Sequence, residues 1–430
     1  MTPSDDCILI IGAGLGGLTL AQGLKKAGIS FRVFERDISA DFRPQGYRVR
    51  INPFGGAVLK ETLDDRLFDL FEKTCAEIRM GMTGMNAMNA TVTRTGDDPA
   101  SRLGNPPGAG PGAGPGAGPG PRVGPGARPP GSDPLYGPYT ADRKTFRDLL
   151  LLGLENHVEF GKTFERYETE SENRISAYFK DGTRATGRLL VGADGVRSAV
   201  RRQGAPELEL VDTTGRVIYG KTPITPELND IIPAEAMQNV TAIKDERPVT
   251  VFLEPIRWKT NVEQESEGKL SNTSDYIYWV LGGRKEFFGV DDDDLYKMTG
   301  QDAMAHSLAL TKDWDPKIRA LFDLQSQEQA SVLRLSATGP NVRSWEPSAV
   351  VTFLGDAIHP MPPTGGAGAN TALRDASSLL TAIKKGVSKE SIEEYENELR
   401  VYAREAIVGS FHGGKRLFNL PAYEDCKKLE

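Results

Sequence analysis

Three short segments, far apart in the chain, carry residue types suited to holding one flat, phosphate-bearing molecule. In the first, Gly12, Gly14 and Gly17 are spaced Gly-x-Gly-x-x-Gly, and Glu35 lies 23 residues beyond Gly12. Glycines so placed allow a tight turn, close approach of a pyrophosphate to the backbone, and close packing of helix on strand. A carboxylate at the position of Glu35 can accept hydrogen bonds from a ribose, and neighbouring Arg36 can cover an adenine. This unit calls for a dinucleotide without choosing between NAD and FAD. The second segment is Gly192-Ala193-Asp194-Gly195-Val196-Arg197-Ser198, and the third begins Gly355-Asp356-Ala357-Ile358-His359-Pro360. Asp356 can bind the hydroxyls of a ribityl chain, which FAD has and NAD lacks. Pro360, Pro362 and Pro363 stiffen the following turn, and Gly365, Gly366 and Gly368 let backbone lie against a flat ring. Asn370 to Ala376 start a helix whose N-terminal dipole would face the anionic edge of a reduced flavin. His359 is read as a turn residue hydrogen-bonded to backbone.

The elements that must position these groups follow from apolar periodicity. Cys7 to Ile11 is a short buried strand, and Gly17, Leu20, Leu24 and Ala27 recur on one helical face that Gly28 closes. Phe31 to Glu35 is the next strand. Residues 104–131 are different: Pro107 to Gly118 repeats Pro-Gly-Ala-Gly and offers too few large apolar side chains for a core, which predicts a flexible surface insertion. Tyr139 to Leu152 is helical from about Asp142, with Arg143, Phe146, Leu149 and Leu150 on one side. Arg174 to Phe179 and Thr183 to Val191 form a hairpin around Asp181-Gly182. Arg216 to Tyr219 and Tyr276 to Leu281 are strands of a middle region with no nucleotide loop of its own. Ala349 to Leu354 returns to a buried strand, a helix runs from Gly368 to Lys385, and Ser391 with Glu394 reads as the capping box of a last helix. Its stripe is Ile392, Tyr395, Leu399, Tyr402 and Ala406. The fold class is α/β: a Rossmann-like FAD-binding domain, discontinuous over residues 1–202 and 346–430, with an inserted mixed-sheet substrate domain over 203–345 and a C-terminal helix.

Composition narrows the partners. With 52 Lys plus Arg against 59 Asp plus Glu, the net charge of −7 gives no footprint for nucleic acid, and a small molecule is the expected partner. Cys7, Cys75 and Cys426 are scattered, and none of the four histidines has a neighbour at metal-ligand spacing, so no metal site is expected. Asp5 and Asp6 precede the apolar run from Cys7 to Ala21, against a signal peptide, and no stretch approaches the roughly 18 apolar residues of a membrane span. The expectation is a soluble, cytoplasmic protein of undetermined oligomeric state.

Together the segments resemble those of the class A flavoprotein monooxygenases, the family of para-hydroxybenzoate hydroxylase and salicylate hydroxylase. The resemblance runs from Cys7 to about Lys385, outside the Pro/Gly insertion and most of the middle region. It implies that Gly12, Gly14, Gly17, Glu35 and Arg36 hold the ADP part of FAD, that Asp194 serves both FAD and NAD(P)H, and that Gly355 and Asp356 hold the riboflavin end. Gly368, Ala369 and Asn370 would contact the flavin, and Arg143 would be the family's helix arginine, with Phe146 and Leu150 in its apolar positions. Two departures stand out: the insertion, and Gly46-Tyr47-Arg48-Val49, where Arg48, placed among the cofactor-binding residues, brings charge and bulk to a position that is small in many members. The implied mechanism is reduction of FAD by NAD(P)H, addition of O2 at flavin C4a, and transfer of the distal oxygen of that hydroperoxide to an aromatic or polycyclic natural-product-type substrate by hydroxylation or epoxidation. Tyr219 resembles a substrate-orienting tyrosine and is the catalytic candidate. Rivals are an FAD-dependent reductase of the same fold, a non-catalytic scaffold like the GDP-dissociation inhibitors, and a plain NAD-dependent dehydrogenase. A flavin halogenase would want a Trp-x-Trp-x-Ile-Pro motif that the chain lacks.

Overall fold

The ends of three adjacent parallel strands bring the three segments together. In the computed structural model, which describes residues 6–42, 47–96, 136–327, 329–342 and 345–429, a five-stranded parallel sheet has the order Val351–Phe353, Leu189–Gly192, Ile8–Ile11, Phe31–Phe34, Val158–Glu159. Ile11, Gly192 and Phe353 are the last residues of neighbouring strands, and each leads directly into one segment. In open α/β sheets the crevice beyond the carboxyl ends of the strands is where ligands bind. Ile8–Ile11 and Leu189–Gly192 are buried throughout because both sheet faces are covered. Helices Leu15–Lys26 and Gly368–Lys385 pack on one another. The α/β Rossmann-like reading is therefore borne out, while the Pro/Gly segment 104–131 lies outside the described residues.

Local assignments shift in three places. The expected strand Thr183 to Val191 is two strands. Arg184–Gly187 pairs antiparallel with Arg174–Phe179, as the hairpin predicts, but Leu189–Gly192 crosses to the parallel sheet. The break is Arg188, whose backbone N–H bonds Cys7 O at 2.9 Å and whose guanidinium bonds Val387 O at 2.6 Å. Residues Tyr139–Asp142 form a strand paired with Arg48–Ile51, and the helix starts after them at Arg143, capped by the Asp142 carboxylate on Thr145 N at 3.1 Å. The last helix, Lys389–Phe418, is capped by Ser388 with Ser391, one turn earlier than Ser391 with Glu394. Ile392, Tyr395, Leu399 and Tyr402 are buried as the stripe requires.

The second large sheet runs Ser331–Thr338, Leu210–Pro223, Tyr276–Arg284, Val249–Ile256, Val240–Lys244, Met82–Asn86, Val92–Gly96, with Lys427–Leu429 also paired to the Leu210–Pro223 strand. It therefore takes in strands from outside residues 203–345. Its core is aromatic, with Trp279 and Trp314 both edge-on to Phe322.

Glu396 sets a pH test of this packing. Burial pushes its carboxyl up to about 7, against the hydrogen bond from Thr352 and the nearby Arg400. An acid whose pKa is raised in the fold favours folding below its unfolded value, and that contribution is lost as pH rises through the folded value. Glu396→Gln should therefore flatten the fall of Tm between about pH 4.5 and pH 7, and gain up to about 3 kcal/mol at higher pH. Thermal melts across that range check it; an unchanged slope would exclude Glu396 as its source.

Candidate active site

The first loop is shaped by two close approaches. Gly12 has φ +115°, and a Cβ there would lie 2.3 Å from Ala193 O, so the first and second segments touch through backbone. At Gly17 a Cβ would lie 2.3 Å from Gly12 O, whereas at Gly14 it would meet nothing within 4 Å. Gly14 is the N-cap of helix Leu15–Lys26 and supplies no side-chain cap, so no cap side chain takes up the first N–H groups of that helix, the arrangement that binds phosphate. Glu35 is buried, and its carboxylate accepts from Ala13 N at 2.8 Å and Asp37 N at 3.0 Å, which places it against the glycine loop. Arg36 beside it is exposed. Arg147, which motif reading passes over, is buried and clamps the loop through Ala13 O and Ala40 O, each at 2.9 Å. Its signal is the i, i+4 spacing from Arg143.

Asp194 turns back on its own segment. Its carboxylate accepts from the Ser198 hydroxyl, from Ala199 N at 2.7 Å and from Val200 N at 3.3 Å. Burial nevertheless holds its pKa above the ordinary value. Buried Arg201 then joins the second segment to the third, donating to Val196 O at 3.0 Å and to Ala357 O at 2.9 Å.

In the third segment the organising group is Asp375. Its carboxylate accepts from Gly355 N at 2.6 Å and Tyr402 OH at 2.7 Å, and pairs with His359 Nε2 at 2.6 Å. His359 thus bonds a side chain where a backbone partner was expected. Burial alone would lower the imidazole pKa, but the Asp375 carboxylate outweighs it and the net shift is upward. Asp356, at the turn itself, is accessible to solvent, yet desolvation raises its pKa, with His359 and Arg143 opposing. Across from it starts helix Gly368–Lys385, where a Cβ on Gly368 would come 4.0 Å from Asp356 Oδ1. Its N-cap, Ala367, also lacks a side-chain cap bond. Ala369 is partly buried. The Asn370 amide is taken up in structure, accepting from Asn52 N at 2.9 Å and donating to Arg50 O at 2.8 Å.

The opposite wall is built where strand Arg48–Ile51 meets the large sheet. Arg48 and Arg50 both pair with Glu254, and Arg48 also lies 5.6 Å from the ring centre of Tyr278. Tyr47 stacks on Tyr219 at 5.0 Å, Tyr219 on Tyr278 at 6.1 Å, and Arg143 lies 5.1 Å over Tyr47. Beside them Lys221 Nζ at 2.6 Å and Tyr276 OH at 2.7 Å share Asp142 Oδ2. Sequence reading found Tyr219, Arg48 and Arg143 here but not Glu254, Arg50, Asp142 or Lys221, whose partners are remote in the chain. No group of three or more His, Cys, Asp or Glu with metal-binding geometry occurs among the described residues, and no helix there is long and apolar enough to cross a membrane.

These residues fit FAD. Two helix starts without a side-chain cap, at Gly14 and Ala367, and the exposed carboxylate of Asp356 supply what a pyrophosphate, an electron-accepting ring edge and a ribityl chain require.

Family comparison agrees with this geometry. Residues 10–73 match the NAD(P)-binding Rossmann-like domain and residues 333–410 match the FAD binding domain. A dual O-methyltransferase/FAD-dependent monooxygenase of Cercospora beticola is 38% identical across 98% of this chain and 47% of its own length. The chain thus spans about half the length of the first curated relatives it matches. A FAD-dependent monooxygenase of Trichoderma harzianum is 27% identical over 93% of this chain and 89% of its own. Among solved structures, 2,6-dihydroxypyridine-3-hydroxylase of Arthrobacter nicotinovorans superposes with a TM-score of 0.70 over 98% of both chains at 15% identity, a likeness of fold. With the glycine loop, the Asp194 segment and the Asp356 turn meeting at one crevice, the chain belongs to the class A, para-hydroxybenzoate hydroxylase-like family of FAD-dependent monooxygenases.

Proposed function

We propose that this chain is an NAD(P)H-dependent flavoprotein monooxygenase that hydroxylates or epoxidises an aromatic or polycyclic small molecule of natural-product type. The observation that carries the reading is the convergence of three adjacent strand ends, which brings the glycine loop, the Asp194 segment and the Asp356 turn together. FAD, once reduced by NAD(P)H, supplies the activation of O2; the hard chemistry is the cofactor's. The chain's own residues bind and orient. Glu35 and Arg36 take the adenosine end, the open N–H groups beyond Gly14 take the pyrophosphate, and Asp356 with Arg143 takes the ribityl region. Helix Gly368–Lys385 directs its N-terminal dipole at the ring, which favours negative charge there. Tyr219, with its ring clamped between Tyr47 and Tyr278, orients the substrate, and the aromatic wall excludes water.

The test is a visible spectrum of the purified protein, release of the cofactor by heat, and anaerobic bleaching with NADH and with NADPH, followed by product analysis with O2. Flavin bands, released FAD, bleaching and a product one oxygen heavier support the reading. A colourless protein that cannot be reconstituted with FAD sinks it, and bleaching without oxygen transfer to any aromatic substrate moves the chain to the reductases.

A further inference from the structure

Arg143, Tyr47, Tyr219, Tyr278 and Arg48 form one continuous column, with successive separations of 5.1, 5.0, 6.1 and 5.6 Å. The three rings stack with interplanar angles of 25° and 27°, and an arginine lies against the ring at either end. Tyr219 is 4% exposed and Tyr278 9%, yet neither hydroxyl, nor that of Tyr47, has a hydrogen-bond partner among the described residues. All three hydroxyls keep some access to solvent, so a bound ligand can supply the partner. Burial holds the Tyr219 and Tyr278 phenols well above their usual range, so both are neutral donors at any working pH.

The charge beside them is unbalanced. Arg48 and Arg50 share the single carboxylate of Glu254, with Arg48 Nε 2.6 Å from Oε2. One positive charge is left over. The terminal nitrogens of Arg48 bond no described residue, although the side chain is only 16% exposed. The neighbouring set shows the contrast, because Lys221, Asp142 and Tyr276 satisfy one another. One network is closed, while the other presents a surplus guanidinium and neutral O–H donors.

We propose that Arg48 is a specificity-determining residue that selects aromatic substrates bearing an ionised oxygen, whether phenolate, enolate or carboxylate. The proposal rests on reading this wall as the substrate side of the monooxygenase cleft. A neutral ligand would leave the free half of the Arg48 guanidinium dehydrated without compensation, whereas an oxyanion would pair with it and accept from the tyrosine hydroxyls. Glu254 and Arg50 set the charge: without Glu254 the site would carry two positive charges, without Arg48 none.

The test is calorimetric titration of the FAD-loaded protein with 2-naphthoate and 2-naphthamide, which share a ring system and differ by one charge. The wild-type protein should favour naphthoate by about tenfold or more. Arg48→Gln should bring the ratio to within about twofold, Arg48→Lys should keep part of it, and Glu254→Gln should widen it. A purely structural role would move both the Gln variants in the same direction. FAD affinity should be equal in all four proteins. Equal wild-type affinities, a preference that survives Arg48→Gln, failure of both probes to bind, or loss of FAD affinity on Arg48→Gln would each overturn the proposal, the last by assigning Arg48 to the cofactor's phosphates. The heats are read without turnover, so charge selectivity in a protein that transfers no oxygen would refute the proposed reaction and leave this inference standing.

Discussion

Replacing Gly12 by alanine should yield a colourless, less stable protein, while replacing Gly14 by alanine should yield a stable one that holds FAD poorly. The two glycines differ in what surrounds them. At Gly12 a methyl group would sit 2.3 Å from Ala193 O on a backbone with φ +115°. Left-handed strain and overpacking each cost roughly 1–3 kcal/mol, and here both act on the contact that joins two segments of the cleft. The loss, of order 4 kcal/mol, should show as a large fall in apoprotein Tm together with at least a hundredfold weaker FAD binding. At Gly14 a Cβ meets nothing within 4 Å, so the apoprotein should melt near wild type. The methyl would instead stand where a pyrophosphate must approach the helix N-terminus. Flavin fluorescence titration and melts of the cofactor-free proteins separate the cases. Equal Tm losses in the two variants would refute the assignment of Gly14 to the ligand.

The second large effect is expected at Asp375. Its carboxylate, fully buried, holds Gly355 N, His359 Nε2 and Tyr402 OH. Asp375→Ala strands three buried donors, one of them on an imidazole whose pKa the carboxylate raises. Breaking a buried ion pair from one side costs about 3–5 kcal/mol, so the Gly355-Asp356 turn should lose its shape and FAD with it. The same pair has a pH signature. The His359 pKa is raised in the fold, so its contribution to stability is complete below the unfolded imidazole value, near 6.5, and is lost as pH rises through the higher folded value. His359→Gln should remove that decline above pH 6.5 while keeping a hydrogen bond to Asp375. A stability profile unchanged by His359→Gln would show that the imidazole is neutral throughout.

What could be read from the sequence was what is local. Gly12, Gly14, Gly17 and Glu35 lie within one strand-helix-strand unit, and Gly355 to Asn370 within one turn and helix start, so spacing alone indicates their geometry. The partners that hold these groups are distant. Arg50 meets Glu254 across 204 residues, and Asn370 reaches Asn52 N across 318. No periodicity marks such pairs. Arg147 and Arg201 look like surface arginines until their buried contacts with backbone carbonyls are seen. The break at Arg188 is hidden for a related reason: residues 183–191 read as one strand because nothing local says that two sheets compete for them.

The order of strands in the parallel sheet also sets a timetable for synthesis. The glycine loop leaves the ribosome before the turn that carries Asp356, which follows Gly12 by 344 residues, roughly 20 to 70 s later at ordinary elongation rates. Until then the Leu189–Gly192 strand has no partner on the side that Val351–Phe353 will occupy, and the Asp356 turn is not yet beside the glycine loop. Flavin capture must therefore wait for the Val351–Phe353 strand and the turn after it, and until then the nascent chain carries an uncovered apolar sheet edge. A fragment ending anywhere before Val351 would carry the dinucleotide motif intact and still have no flavin site.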